Sequence, residues 1–274
     1  VKGMQKSYER LKKQEGIPTV PKERRIRPIH IWQSAAAILF LLLASSVYLS
    51  TVGTKAETDL LQQYIPIAEM RSLTLPDGTK VQLNSKSTLL YPQEFTGDSR
   101  SVFLLGEANF KVKPDKKRPF IVKSNDLQIT ALGTEFNVSA YPESQEIATT
   151  LISGSIRVDY NNLTTSVILH PNEQFAYNRN NKKYDLSNPD MDDVTAWQRG
   201  ELVLQKMTLT DIINVLERKY PYAFVYSIKN LKNDRFSFRF KDNAPLEEVM
   251  EIIVNVVGQM DYRIVEDKCY LTRI

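Results

Sequence analysis

The sequence is poor in the residues that most often carry chemistry: its 274 residues include one cysteine, Cys269, and two histidines, His30 and His170. A lone cysteine excludes an intrachain disulfide, and these few ligands fit no familiar zinc spacing. A Ser-His-Asp triad would need His170, whose surroundings, VILHPNEQFAY, predict a strand, a turn and a strand. No GxGxxG or phosphate-binding loop occurs. We therefore predict no enzyme, no catalytic residue, no metal site and no cofactor site.

The net positive charge comes from one end of the chain. The net charge is +4, but residues 1–30 hold nine Lys and Arg against three Asp and Glu. The other 244 residues hold 27 basic and 29 acidic side chains. The basicity therefore belongs to one short end and says little about the partners of the folded part.

One long apolar run divides the chain. Residues 29–52, IHIWQSAAAILFLLLASSVYLSTV, contain no charged residue, and about 20 residues of helix cross a bilayer core. A signal peptide and a buried core helix are the alternatives. The basic segment before the run is long for a signal peptide, and the run lacks the polar stripe of a core helix. We predict one transmembrane helix.

The charges beside this run predict its orientation. KERRIR precedes it at residues 22–27, and TKAETD follows it at residues 54–59. Because positive charge stays on the cytoplasmic side, we expect residues 1–28 to be cytoplasmic. Everything after a linker at residues 53–68 is expected to lie outside.

Residues 69–185 predict a β-rich domain of short alternating strands separated by turn residues. Three stretches share a pattern: LLGEANFKV from residue 104, ALGTEFNV from residue 131 and LISGSIRV from residue 151. In each, a glycine precedes two apolar residues that stand two apart and so face one side of a strand. The pattern favours glycine corners at strand entrances in a twisted, solenoid-like stack. A hairpin-like strand pair is expected around Gly154.

Four polar residues lie within these stretches: Glu107, Asn109, Glu135 and Asn137. Their alternation with apolar residues favours hydrogen bonding at turns and caps. The alternative is a catalytic carboxylate pair of Glu107 and Glu135, which would depend on the distance between them.

After a linker at residues 186–200, residues 201–274 predict a small βαβ-repeat domain. Two strand–helix–strand halves follow each other, and their helices align at an offset of 37 residues. Thr208 and Asp211 have capping-box spacing, and Pro245 suits a first helical turn. The fold class is thus mainly β plus α/β.

Phe236, Phe238 and Phe240 alternate with basic residues near the start of the second half. Interleaved aromatic and basic side chains can bind RNA on a sheet. Outside a membrane, a core role for the rings and a solvated basic face are favoured instead.

Several motifs resemble the FecR family of transmembrane sigma-factor regulators. They are LPDGTKVQLNSKSTLLYP, LLGEANFKV, RPFIV, ALGTEFNVSAY and TTLISGSIRV, in that order across about residues 69–160. Residues 197–274, which begin WQRGELVLQKMTLTDIINVLERKY, resemble the C-terminal domain of members from Bacteroidetes-type bacteria. That domain is similar to the short N-terminal domain of secretins and TonB-dependent receptors.

The resemblance implies a single-pass inner-membrane anti-sigma protein with a periplasmic body. It implies two partners: the periplasmic signalling domain of a TonB-dependent receptor, and an extracytoplasmic-function sigma factor on the cytoplasmic side. Neither nucleic acid nor a small-molecule substrate is expected. The family carries a longer helical region before the span, so residues 1–28 are expected to be part of a truncated sigma-binding region. Alternatives are an anchored periplasmic scaffold without sigma binding, and a periplasmic carbohydrate-active enzyme.

Overall fold

The structure is a computed structural model that describes residues 28–53, 60–227, 234–241 and 244–273. Helix α1 runs from Pro28 to Gly53, so the apolar run is helical as expected. Over the residues that the structure describes, no helix is both long and apolar enough to cross a membrane. The predicted cytoplasmic segment before Pro28 lies outside the described residues.

Thirteen strands follow and form what we call the β body. They are β1 Leu60–Tyr64, β2 Arg71–Thr74, β3 Lys80–Leu83, β4 Thr88–Pro92, β5 Arg100–Lys111, β6 Phe120–Lys123, β7 Gln128–Ala131, β8 Glu135–Ala140, β9 Glu146–Ser153, β10 Ile156–Tyr160, β11 Thr165–Leu169, β12 Gln174–Asn178 and β13 Tyr184–Ser187.

These strands form two layers that share the long strand β5. The first layer has the order β1-β4-β5-β6-β7-β10-β11, and the second has the order β2-β3-β5-β8-β9-β12-β13. Neighbours are antiparallel except for β5 and β6. Apolar side chains of both layers meet in one core, where Phe110 of the second layer lies 6.0 Å from Phe120 of the first, ring centroid to centroid. This stack confirms the predicted β-rich, curled architecture.

The three glycines lie where the chain passes from one layer to the other. Gly106 lies inside β5, at the point where pairing with β4 and β6 gives way to pairing with β8. Gly133 and Gly154 lie between strands of different layers, and all three have positive φ angles. The predicted hairpin around Gly154 is wrong, because β9 pairs in the second layer and β10 in the first. Gly106 is likewise a corner within a strand and not an entrance.

A buried arginine closes one end of the core. The Arg100 side chain is 1% exposed, and its Nη1 donates to Asp77 Oδ2 at 2.6 Å. The same nitrogen donates to the Lys113 carbonyl at 2.9 Å, and Nε donates to the Arg118 carbonyl at 2.9 Å. Its charge is paired and both Nε and Nη1 are aimed at fixed acceptors, so this guanidinium can occupy the core, although Nη2 has no hydrogen-bond partner among the described residues.

Two short helical segments lead out of the β body: α2, Met191–Thr195, and a 3₁₀ turn, Ala196–Arg199. The strands and helices that follow form what we call the α/β domain. They are β14 Leu202–Thr208, α3 Leu209–Lys219, β15 Ala223–Val225, β16 Arg235–Phe240, α4 Leu246–Val257, β17 Met260–Val265 and β18 Lys268–Arg273.

The order of these elements is the predicted strand–helix–strand repeat, but both strands of the first half, β14 and β15, pair with strands of the second half. β14 pairs with β16, and β18 pairs with both β15 and β17. Thr208 caps α3 as predicted, while Pro245 is the N-cap of α4 and precedes its first turn. Phe238 and Phe240 are buried against the helices, which confirms the core role of the aromatic face.

Candidate functional site

The second layer of the β body and the α/β domain meet in a contact that we call the seam. A cavity of about 810 Å³ lies in the seam. Its lining residues are mostly polar, which distinguishes it from the two apolar cores.

Glu107 of β5 lines the cavity between two amides. Asn84 Nδ2 donates to Glu107 Oε2 at 2.8 Å, and Asn137 Nδ2 donates to Glu107 Oε1 at 3.0 Å. The carboxylate keeps some exposed surface but is crowded by protein, so desolvation raises its pKa above 4.5. The amides and the charge of Arg218 oppose this rise without cancelling it.

Arg218, in the last turn of α3, reaches across the seam to the β8–β9 loop. Its Nη1 donates to Glu143 Oε1 at 2.7 Å, and its guanidinium carbon lies 3.8 Å from the centre of the Tyr141 ring. The side chain is 10% exposed, so this ion pair and cation–π contact are shielded from water on the arginine side. Tyr141 is itself fixed, because its hydroxyl donates to the Ser85 carbonyl at 2.9 Å.

The backbone of Arg218 makes a second link across the seam. Its carbonyl accepts a hydrogen bond from the Ala68 N–H at 2.9 Å, in the loop between β1 and β2. Trp197 makes a third: its Nε1 donates to Asn137 Oδ1 at 3.3 Å. Asn137 therefore connects Trp197 to Glu107, and the hydrogen bonds run from the 3₁₀ turn to β5.

The structure brings together two of the four polar residues singled out from the sequence. Glu107 and Asn137 share the network above, and both lie within strands, β5 and β8, instead of at the turns and caps that the sequence favoured. Asn109 is buried, and Glu135 instead pairs with Lys111, Oε2 to Nζ at 3.3 Å.

The carboxylate pair is not assembled. Glu135 stands opposite Lys111 on the ladder, and Glu107 stands opposite Ser139. The two glutamates are four positions apart, about 13 Å along the strands, whereas glycosidase carboxylates are roughly 5 to 9.5 Å apart. His170 lies in the turn between β11 and β12, away from the seam. Burial raises the pKa of the Cys269 thiol to about 11, so this thiol stays protonated and unreactive at neutral pH.

Sequence reasoning missed Arg218, Trp197 and Tyr141. Arg218 lies off the helix face formed by Leu209, Ile212, Ile213 and Leu216, so helical periodicity gave no signal for it. Its partner Glu143 is 75 residues away. Only the fold, by placing α3 over the β8–β9 loop, reveals the contact.

These contacts hold two domains together, and they fit a two-domain interaction protein better than a reaction centre. Comparisons with known proteins agree. The model of the family described as FecR protein matches residues 65–157, and the model described as FecR, C-terminal matches residues 201–271. The chain belongs to the FecR family of sigma-factor regulators.

Two solved structures support this assignment. Both are of a candidate anti-sigma factor from Parabacteroides distasonis ATCC 8503, determined at 2.50 and 1.65 Å resolution. Each is 34% identical to this chain, with TM-scores of 0.74 and 0.73. The first match covers 79% of this chain and 100% of the solved one; the second covers 78% and 99%. A search of curated proteins gave no match.

Proposed function

We propose that this protein is a single-span inner-membrane anti-sigma factor. It transmits a signal from a TonB-dependent outer-membrane receptor to an extracytoplasmic-function sigma factor. The observation that carries the proposal is the presence of both FecR family regions, in order, in one chain whose fold matches an anti-sigma candidate over 79% of its length.

The membrane anchor in this proposal is residues 29–52, and the support for it is the absence of charge over that run and the basic segment before it. The sigma factor would contact the segment before the anchor. The receptor's signalling domain would contact the body that follows.

Strand addition to an exposed edge is the proposed mode of receptor binding. Within the α/β domain, β18 is flanked by β15 and β17, so each of these two strands has one edge without a partner strand in the described residues. β17 has six residues and β15 has three. Of these two edges, that of β17 is longer and offers more backbone hydrogen bonds, so we assign the receptor contact to β17.

Two matched valines test this assignment. Val265 ends β17 and Val225 ends β15, and they are 42% and 44% exposed. A lysine on an edge strand discourages strand addition. In the full chain in detergent, Val265→Lys is expected to weaken binding of the signalling domain of a receptor encoded beside this gene about tenfold, measured by titration calorimetry. Val225→Lys is expected to leave it within about twofold.

A loss confined to Val225→Lys would move the contact to β15. An unmodified chain that binds none of these signalling domains would contradict the receptor proposal. A chain that binds one of them but does not change transcription by the neighbouring sigma factor would support the scaffold alternative.

A further inference from the structure

Arg218 connects the α/β domain to two separate loops of the β body. Its side chain contacts Tyr141 and Glu143 in the β8–β9 loop, and its carbonyl holds the Ala68 N–H in the β1–β2 loop. One residue at the end of α3 therefore fixes two segments that lie far apart in sequence. The side chain of Arg218 makes a charge-assisted hydrogen bond to one loop, and its carbonyl accepts a backbone hydrogen bond from the other.

The β1–β2 loop is held in an unfavourable conformation. Ala68 has a φ of 60°, in the left-handed region that residues with a Cβ rarely adopt. The hydrogen bond from its N–H to the Arg218 carbonyl is one of the contacts that stabilise this geometry. Ser85 Oγ adds another by donating to the Glu69 carbonyl at 2.9 Å. Without the α/β domain, this loop would lose the first of these contacts.

Strand β1 leads into this loop and has mostly exposed side chains, while Ile65, directly after it, is buried in the core and donates its N–H to the Ser87 carbonyl. β1 is an edge strand of five residues whose ladder partner is β4, and Leu60 and Tyr64 are 61% and 51% exposed. Strands with few buried contacts open locally at low free-energy cost. β1 is also the first strand of the β body, so it joins that body to the part of the chain that contains α1.

We propose that the α/β domain acts as a latch: while Arg218 is docked on the β body, it holds the β1–β2 loop and through it strand β1, and undocking releases β1. The cavity in the seam allows this movement, because the two domains meet there through separate polar contacts instead of a continuous apolar core. This coupling between the docking of Arg218 and the release of β1 is intramolecular and needs no partner molecule. Its use in signalling rests on the proposed function, in which a receptor contacts the α/β domain.

Hydrogen exchange of the full chain in detergent tests the latch. Arg218→Met keeps most of the aliphatic part of the side chain and removes the positive charge that pairs with Glu143. Exchange of the amides of residues 60–70 is expected to accelerate about tenfold, as local opening becomes easier. Exchange in β5 and β8 is expected to stay unchanged, which would show that the β body remains folded.

Arg179→Met is the matched control. Arg179 also contacts the β8–β9 loop, by donating from Nη1 to the Tyr141 carbonyl at 2.7 Å, and it pairs with Asp126 within the β body. Among the described residues, its hydrogen bonds and ion pair stay within the β body, so exchange of residues 60–70 is expected to stay within about twofold of the parent. Equal acceleration by both substitutions would show general loosening of the β8–β9 loop and would overturn the latch.

Glu143→Gln is a second variant for the case that Arg218→Met fails to fold. It weakens the same ion pair by a change on the side of the β body. It is expected to accelerate exchange of residues 60–70 in the same direction and by less. Unchanged exchange there in both Arg218→Met and Glu143→Gln, with α3 still protected, would also overturn the proposal. Faster exchange in these variants without any receptor binding would keep the latch and contradict the proposed function alone.

Discussion

At the scale of single residues, the turn of β5 from one layer to the other depends on the absence of a side chain at Gly106. Its φ is 105°, and a Cβ built there would lie 2.4 Å from Ser87 Oγ and 2.6 Å from Ser87 Cα. The second contact is with backbone, which cannot move aside cheaply. We expect Gly106→Ala to lower the free energy of unfolding by about 2–4 kcal/mol, measured by urea denaturation.

Gly97 supplies the control for this prediction. It lies in the loop between β4 and β5, and a Cβ there would meet no atom within 4 Å. Gly97→Ala is expected to change the free energy of unfolding by less than about 1 kcal/mol, and to raise it if anything. If the two substitutions had equal effects, the strand corner would not depend on glycine.

At the scale of elements, the helices could be predicted from the sequence because their signals are local. The apolar face and the cap of α3 both lie within a dozen residues, and the structure has both where the pattern indicated. The strands of the three glycine-containing stretches were also predictable one by one. The pairing of the strands could not be predicted, because strands adjacent in sequence, such as β9 and β10, belong to different layers. The alternation of apolar and polar residues indicates which face of a strand is buried, but not which strand it pairs with.

The cap of α3 makes a testable contribution of its own. Thr208 Oγ1 accepts a hydrogen bond from the Asp211 N–H at 3.2 Å and donates to Asp211 Oδ2 at 2.6 Å. We expect Thr208→Ala to lower the free energy of unfolding by about 1 kcal/mol and to speed hydrogen exchange in the first turn of α3. Thr210→Ala, two residues into the same helix, removes the same atoms without a cap. A loss as large at Thr210 as at Thr208 would contradict a capping role.

At the scale of the whole molecule, the candidate site is where prediction from sequence stopped. Glu107 and Asn137 could be singled out because they interrupt apolar strands, and their hydrogen-bonding role was expected. The residues that contact this network could not be predicted, because the partners are far apart in sequence. Trp197 and Asn137 are separated by 60 residues, and Arg218 and Glu143 by 75. Such contacts depend on how the two domains dock against each other. The hydrophobic periodicity within each domain carries no signal for this docking.

The placement of Glu107 in the seam predicts how stability responds to pH. Desolvation raises the pKa of Glu107 in the folded protein above its ordinary value of 4.5. As pH falls from neutral, the folded state therefore binds this proton before the unfolded state does, and Glu107 adds stability until about pH 4.5. Glu146, whose pKa burial also raises, acts in the same direction. Asp115, whose pKa is lowered by Arg118, acts in the opposite direction.

Comparison with Glu107→Gln isolates the contribution of this one group. The glutamine turns one hydrogen-bond acceptor into a donor facing Asn84 or Asn137, so the variant is expected to be less stable than the parent at every pH. Because the parent alone gains stability from protonation of Glu107, the difference should widen as pH falls from 7 towards 4.5, measured by urea denaturation at each pH. Glu135→Gln removes a carboxylate from the same ladder outside the seam cavity and serves as the control. Parallel pH curves for the parent and Glu107→Gln would show that the seam does not desolvate this carboxylate, and that water fills the contact between the two domains.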